Sequence, residues 1–233
     1  MTAFTRSDHL QGSEFADTDL RGARFVGSDL SGVVMRGVDV AGLEIDSPWL
    51  SEDGTALRVN GVDVVPLVEA ELDRRFPGRA ERRATHPDSL RAAWSSVERT
   101  WAATLERVAA MPDGTADVSV DGEWSFAQTL RHLVLATDIW LRQAVLGIER
   151  PFHALGLAGP DAGDNGLDMS VFATAAPDYA EVLEARASRV AMVRDYLATV
   201  TPDDLEATRH NPWVPAREQT VLSCLHVILG EEW

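Results

Sequence analysis

Three side chains in the C-terminal half of the chain could bind a metal ion: His132, Glu231 and Glu232. Imidazole nitrogen and carboxylate oxygen suit zinc, nickel, manganese and iron, and such an ion would activate a bound water or thiol as a Lewis acid. The ligand types alone do not determine which metal binds. The chain has no GxxxxGK[ST], GxSxG or HExxH motif and no GxGxxG after a strand, so nothing indicates the nucleotide or hydrolase chemistry of those motifs.

Helical phase distinguishes the two glutamates. The apolar face of the last predicted helix is centred on Val221, Leu225 and Ile228. Glu232 falls on that face, whereas Glu231 lies on its margin. A carboxylate that faces a core is costly unless it is paired or bound to a cation, which favours Glu232 as a ligand. Fraying of the terminal turn is the alternative that leaves Glu232 in solvent.

His132 lies in a mostly apolar predicted helix, between the apolar face and a polar stripe of Arg131, Asp138 and Arg142. A lone histidine in such a helix is commonly a core residue bonded to a carbonyl group, so the residues alone leave both a structural role and metal binding open. Cys224, the only cysteine, lies beside the apolar face of the last helix. This position favours a buried, inert thiol, and a single cysteine excludes an internal disulfide.

Charge and composition limit the partners of the protein. The 233 residues carry a net charge of −16, which argues against a nucleic-acid partner bound through its phosphates. No apolar run reaches membrane-spanning length, and the first ten residues lack the apolar core of a signal peptide. We therefore expect a cytoplasmic protein with no membrane partner, built from two unequal domains.

The stretch from Asp8 to Ser47 repeats with a period of five, which neither a helix nor a strand has. The apolar positions of the repeat are Leu10, Phe15, Leu20, Phe25, Leu30, Met35, Val40 and Ile45. A chain that turns a corner every five residues returns above itself after four corners, which stacks these side chains in an axial column. The residues resemble the pentapeptide-repeat family, and the resemblance implies a right-handed quadrilateral β-helix over residues 1–50.

The same resemblance implies two possible roles for the repeats. Some pentapeptide-repeat proteins are long acidic rods that imitate DNA and block a topoisomerase. Two coils rise only about 10 Å, at about 4.8 Å each, which is short for that role. A structural or docking module is therefore the favoured interpretation, and DNA mimicry the less favoured one.

Residues 51–85 predict short elements between the two domains. A turn is expected at Glu52-Asp53-Gly54, a hairpin around Asn60-Gly61, and a short helix from Pro66 to Phe76. We expect the hairpin and helix to cap the open end of the repeats. The arginine-rich stretch from Gly78 to Ala84 predicts a linker.

Residues 86–233 contain four amphipathic segments with apolar residues at every third or fourth position. The first begins at Pro87, and the second follows a capping box of Ser125 and Gln128. The third starts near Pro177, and the fourth runs from about Ala216 to the last residue. These segments predict an up-down four-helix bundle, so the whole chain is a two-domain α+β protein.

The stretch from about His86 to Trp233 resembles the DinB-like superfamily of metal-binding four-helix bundles. The resemblance rests on Gly122-Glu123-Trp124-Ser125, on Leu130-Arg131-His132-Leu133-Val134, and on the final run from Leu225 to Trp233. Members with known activity are transferases and isomerases that use a low-molecular-weight thiol such as mycothiol or bacillithiol. The resemblance therefore implies a divalent metal, a thiol cofactor and a small-molecule substrate.

The ligand pattern of the family is matched in part. The family's metal site takes one histidine from the second helix, which His132 matches, and two ligands, usually histidines one turn apart, from the fourth. This chain has Glu231 and Glu232 in the fourth helix, and a ligand one turn later would lie beyond Trp233. The resemblance and the helical phase together predict a metal site of His132, Glu232 and Glu231 that lacks one ligand.

A non-catalytic interaction protein is the alternative to a metal-dependent transferase. In this hypothesis the bundle forms a homodimer and the repeats dock a partner. Trp94 and Trp101, spaced two turns apart on the first helix, fit either a core or such an interface.

Overall fold

The structure is a computed structural model that describes residues 3–5, 9–47, 50, 55–159, 162–163, 166–173 and 177–233. The chain divides into two compact units, Met1–Pro48 and Trp49–Trp233. The turn predicted at Glu52-Asp53-Gly54 lies outside the described residues. Residues 55–85, predicted to form a separate cap and linker, fall within the second unit.

The repeat unit turns at every fifth residue, and two kinds of corner alternate along it. Backbone hydrogen bonds of 2.9–3.1 Å close every second corner, from Ser13, Ala23, Val33 and Leu43 to Leu10, Leu20, Leu30 and Val40. The third residue of each of these corners is a glycine with φ of 74–76°, as a type II turn requires. The intervening corners have φ of 50–65° at Asp17, Gly27 and Gly37. Aspartate also tolerates that region, which explains its presence at position 17.

The corners are present without the predicted axial column. No β-strand forms within residues 9–47, and the eight apolar positions of the repeat are 42–60% exposed. Two coils give each apolar side chain a stacking neighbour on one side at most, whereas longer solenoids cover both sides. The prediction of a buried column is therefore wrong for the described residues, and the quadrilateral β-helix stays a prediction.

The second unit begins with a hairpin and a helix, as predicted. Strands β1 (Arg58–Val59) and β2 (Val62–Asp63) pair antiparallel. The two residues between them, Asn60 and Gly61, have φ of 50° and 83°, the left-handed values of a tight hairpin turn. Helix α1 follows at Val65–Arg75.

The arginine-rich stretch after α1 is not a linker. Arg79–Arg83 forms a 3₁₀-helix in which the arginines at positions 79 and 82 are buried. The Arg79 guanidinium lies 2.7 Å from both Glu69 and Asp73, and Arg82 pairs with the same carboxylates. The linker prediction is wrong because these glutamate and aspartate side chains, one helical turn apart on α1, provide the negative charge that lets the arginines be buried.

Five further α-helices follow in the part of the chain that the structure describes. They are α2 (Pro87–Ala109), α3 (Phe126–Thr137), α4 (Tyr179–Thr199), α5 (Pro202–Glu206) and α6 (Val221–Glu231). A π-helical segment, Asp138–Val145, continues α3. Strands β3 (Thr208–His210) and β4 (Glu218–Thr220) pair antiparallel just before α6.

Capping residues determine where these helices begin. The predicted capping box of α3 is confirmed, because Gln128 N–H donates to Ser125 Oγ and Ser125 N–H donates to Gln128 Oε1 at 2.8 Å. The predicted start of the last helix at Ala216 is wrong. Residues 218–220 pair as a strand, and the Thr220 hydroxyl then accepts the N–H of Ser223 as the cap of α6.

The helices α2, α3, α4 and α6 share one core, with α3 packed on α4 and the π-helical segment packed on α6. Trp94 of α2, Val193 of α4 and Leu225 of α6 are each about 1% exposed within it. The β3–β4 hairpin is an addition that the sequence pattern of four helices does not include. No helix among the described residues is long and apolar enough to cross a membrane.

The predicted polar stripe, which runs from α3 into the π-helical segment, is largely buried. Asp138 has no exposed surface, and its carboxylate accepts from Arg189 Nε of α4 at 2.7 Å and from Arg142 Nη1 at 3.3 Å. The backbone N–H of His153 donates to the same carboxylate at 2.7 Å. The loop after the π-helical segment thus provides part of the hydrogen bonding of this stripe.

Replacing Asp138 with alanine should strongly destabilise the protein. The change leaves the guanidinium of Arg189, which is 6% exposed, buried without its anion, and losing one partner of a buried pair costs about 3–5 kcal/mol. Urea denaturation measures this loss. Asp88→Ala is the matched control, because the Asp88 side chain is 98% exposed and its pair with Arg91 contributes less than about 1 kcal/mol. Equal destabilisation by both variants would contradict the assignment.

Candidate functional site

His132 of α3 is held by contacts on three sides. Its Nδ1 atom lies 3.3 Å from the carbonyl oxygen of Leu157, and its Nε2 atom lies 3.1 Å from Oε2 of Glu231 on α6. The indole of Trp124, just before the cap of α3, packs on the imidazole with ring centroids 4.8 Å apart. The side chain of His132 remains 29% exposed, so it stands at the surface of the core rather than inside it.

The Leu157 contact determines which imidazole nitrogen is available. A carbonyl oxygen only accepts, so Nδ1 carries a proton and donates to Leu157. In neutral histidine this directs the lone pair of Nε2 towards Glu231. Metal-binding histidines usually have one ring nitrogen hydrogen-bonded to a carbonyl group, which leaves the lone pair of the other nitrogen for the metal.

The His132–Glu231 spacing is compatible with either a proton or a metal ion. Protonated His132 would donate to the carboxylate, which accounts for 3.1 Å without any other group. Ligands that each lie about 2.0–2.2 Å from one ion are themselves about 3 Å apart. The geometry is therefore consistent with two neighbouring ligands of a small divalent cation.

Two opposing effects act on the pKa of His132. Burial lowers the pKa, whereas the hydrogen bond and negative charge of Glu231 and the Leu157 carbonyl raise it, and the net pKa lies above the ordinary value of 6.5. A histidine with a raised folded-state pKa stabilises the fold fully below the unfolded-state pKa. This contribution is lost as the pH rises through the folded-state value.

Glu232 does not join this pair. It is 7% exposed and forms a buried ion pair with Arg186 of α4, whose guanidinium also lies 5.6 Å from the ring centre of Trp101. Burial raises the pKa of the Glu232 carboxyl, and the positive charge of Arg186 opposes that rise. Glu232 faces the core, as its helical phase predicts, and Arg186 supplies a cation there, whereas Glu231 faces His132. Metal binding by Glu232 stays a prediction, and the geometry favours Glu231 instead.

A small cavity opens beside the His132–Glu231 pair. Its volume is about 90 Å³, and the rings of Trp140 and Trp213 and the side chain of Ile139 line it together with the pair. The described residues contain no group of three or more His, Cys, Asp or Glu side chains that could hold a metal. The structure thus brings together two of the three predicted ligands beside an apolar cavity.

The sequence singles out Trp124 as part of the family resemblance, but it does not predict the other aromatic and basic residues around the pair. Trp124 directly precedes the cap of α3, whereas Trp213 comes from a loop that is distant in the chain, and no periodicity links it to α3. Arg186 lies on α4, and its charge alone predicts a solvent-exposed side chain. A signal for it exists: a glutamate predicted to face the core requires a buried cation on a neighbouring helix.

Cys224 is fully buried, and the amide of Gln219 donates to its sulfur at 3.1 Å. Burial raises the pKa of the thiol, and the Gln219 hydrogen bond opposes the rise. The thiol is therefore held in its protonated, unreactive form, as the sequence predicts.

Comparison with known families agrees with both resemblances. The model of the DinB superfamily matches residues 96–233, and the model of pentapeptide repeats matches residues 9–39 with eight copies. Since the first match spans more than half of the chain, the protein belongs to the DinB superfamily. No match was found among curated proteins or among solved structures.

Replacing Glu231 with glutamine should lower the pKa of His132, because it removes the carboxylate that stabilises the imidazolium. NMR titration of the His132 ring in the presence of a chelator measures this change. The stability difference between wild type and Glu231→Gln should be largest below pH 6.5 and shrink as the pH rises through the raised pKa. Glu149→Gln, at an exposed position beyond the π-helical segment, is the control. An unchanged His132 titration in Glu231→Gln would refute the contact.

Proposed function

We propose that this DinB-superfamily protein binds a divalent metal ion through His132 and Glu231 and uses it in a thiol-dependent transfer or isomerisation. The observation that supports metal binding is the convergence of Nε2 and a carboxylate oxygen at 3.1 Å, with Nδ1 engaged by the Leu157 carbonyl. Zinc, nickel, manganese and iron all accept this pair of ligands. Further ligands would come from solvent or substrate.

The chain's own residues would orient and shield the site. Leu157 and Trp124 fix the plane of the His132 ring, so that Nε2 points to one place. The rings of Trp140 and Trp213 exclude water from one side of the pair, which strengthens electrostatic interactions there. A bound metal would supply Lewis acidity that favours the thiolate form of a low-molecular-weight thiol.

The size of the cavity limits how substrates would bind. Pockets that enclose a drug-sized ligand occupy about 300–1,000 Å³, whereas this one measures about 90 Å³. Only the reacting end of a thiol or of its small-molecule partner fits inside. The remainder of a thiol such as mycothiol would lie on the surface, near Trp124, which is 40% exposed.

Metal affinity should depend on His132 and Glu231 and not on Glu232. We expect His132→Ala and Glu231→Gln each to weaken binding of Zn²⁺, Ni²⁺, Mn²⁺ or Fe²⁺ by more than about tenfold, as measured by calorimetric titration of the full chain. Glu232→Gln should leave metal affinity unchanged and lower the unfolding free energy, because Arg186 loses its anion. Metal loss in Glu232→Gln at full stability would reverse the assignment of the two glutamates.

Thiol transfer is tested separately from metal binding. The metal-loaded protein should accelerate conjugation of mycothiol or bacillithiol to an electrophilic substrate, and the His132→Ala protein should not. Metal binding without any acceleration for either thiol would retain the site and reject the thiol chemistry.

A non-catalytic interaction protein is the second candidate. It is favoured by the absence of a third metal-ligating side chain in the group around His132 among the described residues. In this case protonated His132 and Glu231 form a structural ion pair, and the helical unit serves as a homodimer. Light scattering would show a dimer, and all variants of the pair would leave metal content unchanged.

The finer architecture is also a proposal. Corners at every fifth residue support a four-sided path for the repeats and hence a right-handed quadrilateral β-helix. The shared core of α2, α3, α4 and α6 supports an up-down four-helix bundle. Net charge and the single cysteine support a cytoplasmic location.

The repeats are proposed as a docking module rather than a DNA mimic. Two coils rise only about 10 Å, which is too short to occupy a duplex-sized groove. The full chain should therefore leave DNA supercoiling by gyrase unchanged, even in molar excess. Inhibition of supercoiling that is lost when residues 1–48 are removed would favour DNA mimicry.

A further inference from the structure

The turn formed by residues 153–157 is bound to α3 by hydrogen bonds. The carbonyl of Leu155 accepts from Arg131 Nε at 2.9 Å, and the N–H of Leu157 donates to the carbonyl of Arg131 at 3.2 Å. The carbonyl of Leu157 in turn accepts from Nδ1 of His132. The orientation of the His132 ring therefore depends on the conformation of this turn.

The turn also packs closely on α3. A Cβ atom at Gly156 would lie 3.1 Å from the ring of Phe172 and 3.4 Å from the side chain of Leu135 on α3. The first of these distances is shorter than ordinary van der Waals contact between carbon atoms. Because so little space separates the turn from α3, a change in the conformation of the turn would displace it from the helix.

The side chain of His153 closes the turn. Its Nδ1 atom accepts from the N–H of Leu155 at 3.2 Å, and its backbone carbonyl accepts from the N–H of Gly156 at 2.9 Å. Since a backbone N–H only donates, Nδ1 must offer a lone pair, and the ring proton of neutral His153 is on Nε2. An imidazolium ring has no lone pair. Protonation of His153 therefore replaces this hydrogen bond with two N–H groups that face each other.

The charges around His153 act in both directions. Burial and the positive charge of Arg189 on α4 lower the pKa of His153 below the ordinary value of 6.5, and Arg142 of the π-helical segment adds to this effect. The negative charge of Asp138 opposes it, and the same carboxylate accepts the backbone N–H of His153. Arg131, which reaches the turn from α3, is a third cation. The turn is thus built around a neutral histidine.

We propose that His153 is a pH-sensitive positioning residue for His132. Neutral His153 closes the turn, and the Leu157 carbonyl then orients the His132 ring. Protonated His153 opens the turn, so that this carbonyl leaves Nδ1 of His132. Protonation of His132 itself does not break the contact, because Nδ1 carries a proton in both forms of that ring. The inference does not rest on the proposed metal chemistry, since it concerns the metal-free protein.

The direction of the pH effect follows from the two states of the turn. In the open turn His153 is solvated and titrates near its ordinary pKa of 6.5, whereas in the closed turn its pKa is lower. The closed turn is therefore fully stable above pH 6.5 and loses stability as the pH falls towards the closed-state pKa. A single proton limits the change in the open–closed equilibrium to about tenfold per pH unit.

Amide hydrogen exchange of the full chain, measured by NMR between about pH 5 and 8 with a chelator present, tests the proposal. After correction for intrinsic exchange rates, protection of the Leu157 amide should fall below pH 6.5, by up to about tenfold per pH unit. Amides within α2 report the global stability and should not follow this profile. The ring resonances of His132 should show a second transition at the pH where Leu157 loses protection.

Three variants separate titration of His153 from a purely structural role. His153→Asn should keep the Leu157 amide protected at low pH and remove the second His132 transition, because an asparagine oxygen accepts the N–H two residues further on and does not titrate. His153→Ala has no acceptor and should lower protection at every pH. His9→Asn, at an exposed position of the repeat unit, is the matched control and should keep the wild-type profile.

Three results would overturn the proposal. The first is Leu157 protection that stays constant with pH in the wild-type protein. The second is a wild-type pH dependence in His153→Asn, since that side chain cannot be protonated in this range. The third is wild-type protection in His153→Ala at neutral pH. A second His132 transition that persists in His153→Asn would likewise refute the coupling between the two histidines.

Discussion

The buried carboxylate of Asp138 is the interaction on which the candidate site depends. It joins α4, through Arg189, to the π-helical segment and to the backbone of His153 in the following loop. Four residues further on, the same loop reaches α3, where the carbonyl of Leu157 faces the imidazole of His132. The orientation of a surface histidine is thus fixed by a charge that is completely excluded from water. Because a buried carboxylate without partners is very costly, the loop and both helices must be in place together.

At the end of α6, the adjacent side chains of Glu231 and Glu232 point in different directions. Successive helical residues are about 100° apart, so Glu231 can face α3 while Glu232 faces Arg186 on α4. Two like charges in the last turn of a helix are unfavourable in isolation, since the helix dipole already places negative charge there. Here each carboxylate has a partner on a different helix. The repulsion is therefore offset by contacts that dock α6 against two neighbours.

Local signals in the sequence predicted local structure well. The capping box of α3, the hairpin at Asn60-Gly61 and the start of α2 at Pro87 follow from short-range chemistry, and the structure confirms them. Charge partners over long sequence distances were not predictable in the same way. Helical phase placed Glu232 in the core but could not identify Arg186, which is 46 residues away, as its partner. Arginine-rich composition likewise suggested solvent at positions 79–83, because the two carboxylates that neutralise those side chains are visible only once α1 is folded.

The two alternating kinds of corner determine how many residues the repeat unit can gain or lose at a time. Every second corner requires glycine, at positions 12, 22, 32 and 42, whereas the intervening corners have smaller positive φ values that aspartate also adopts. Sequence similarity suggests a module that grows by five residues. The backbone instead repeats by ten, so a duplication or deletion of one pentapeptide would place each downstream residue at the wrong kind of corner. Insertions that preserve the turn chemistry come in pairs of pentapeptides, which gives this segment a larger evolutionary unit than its sequence period.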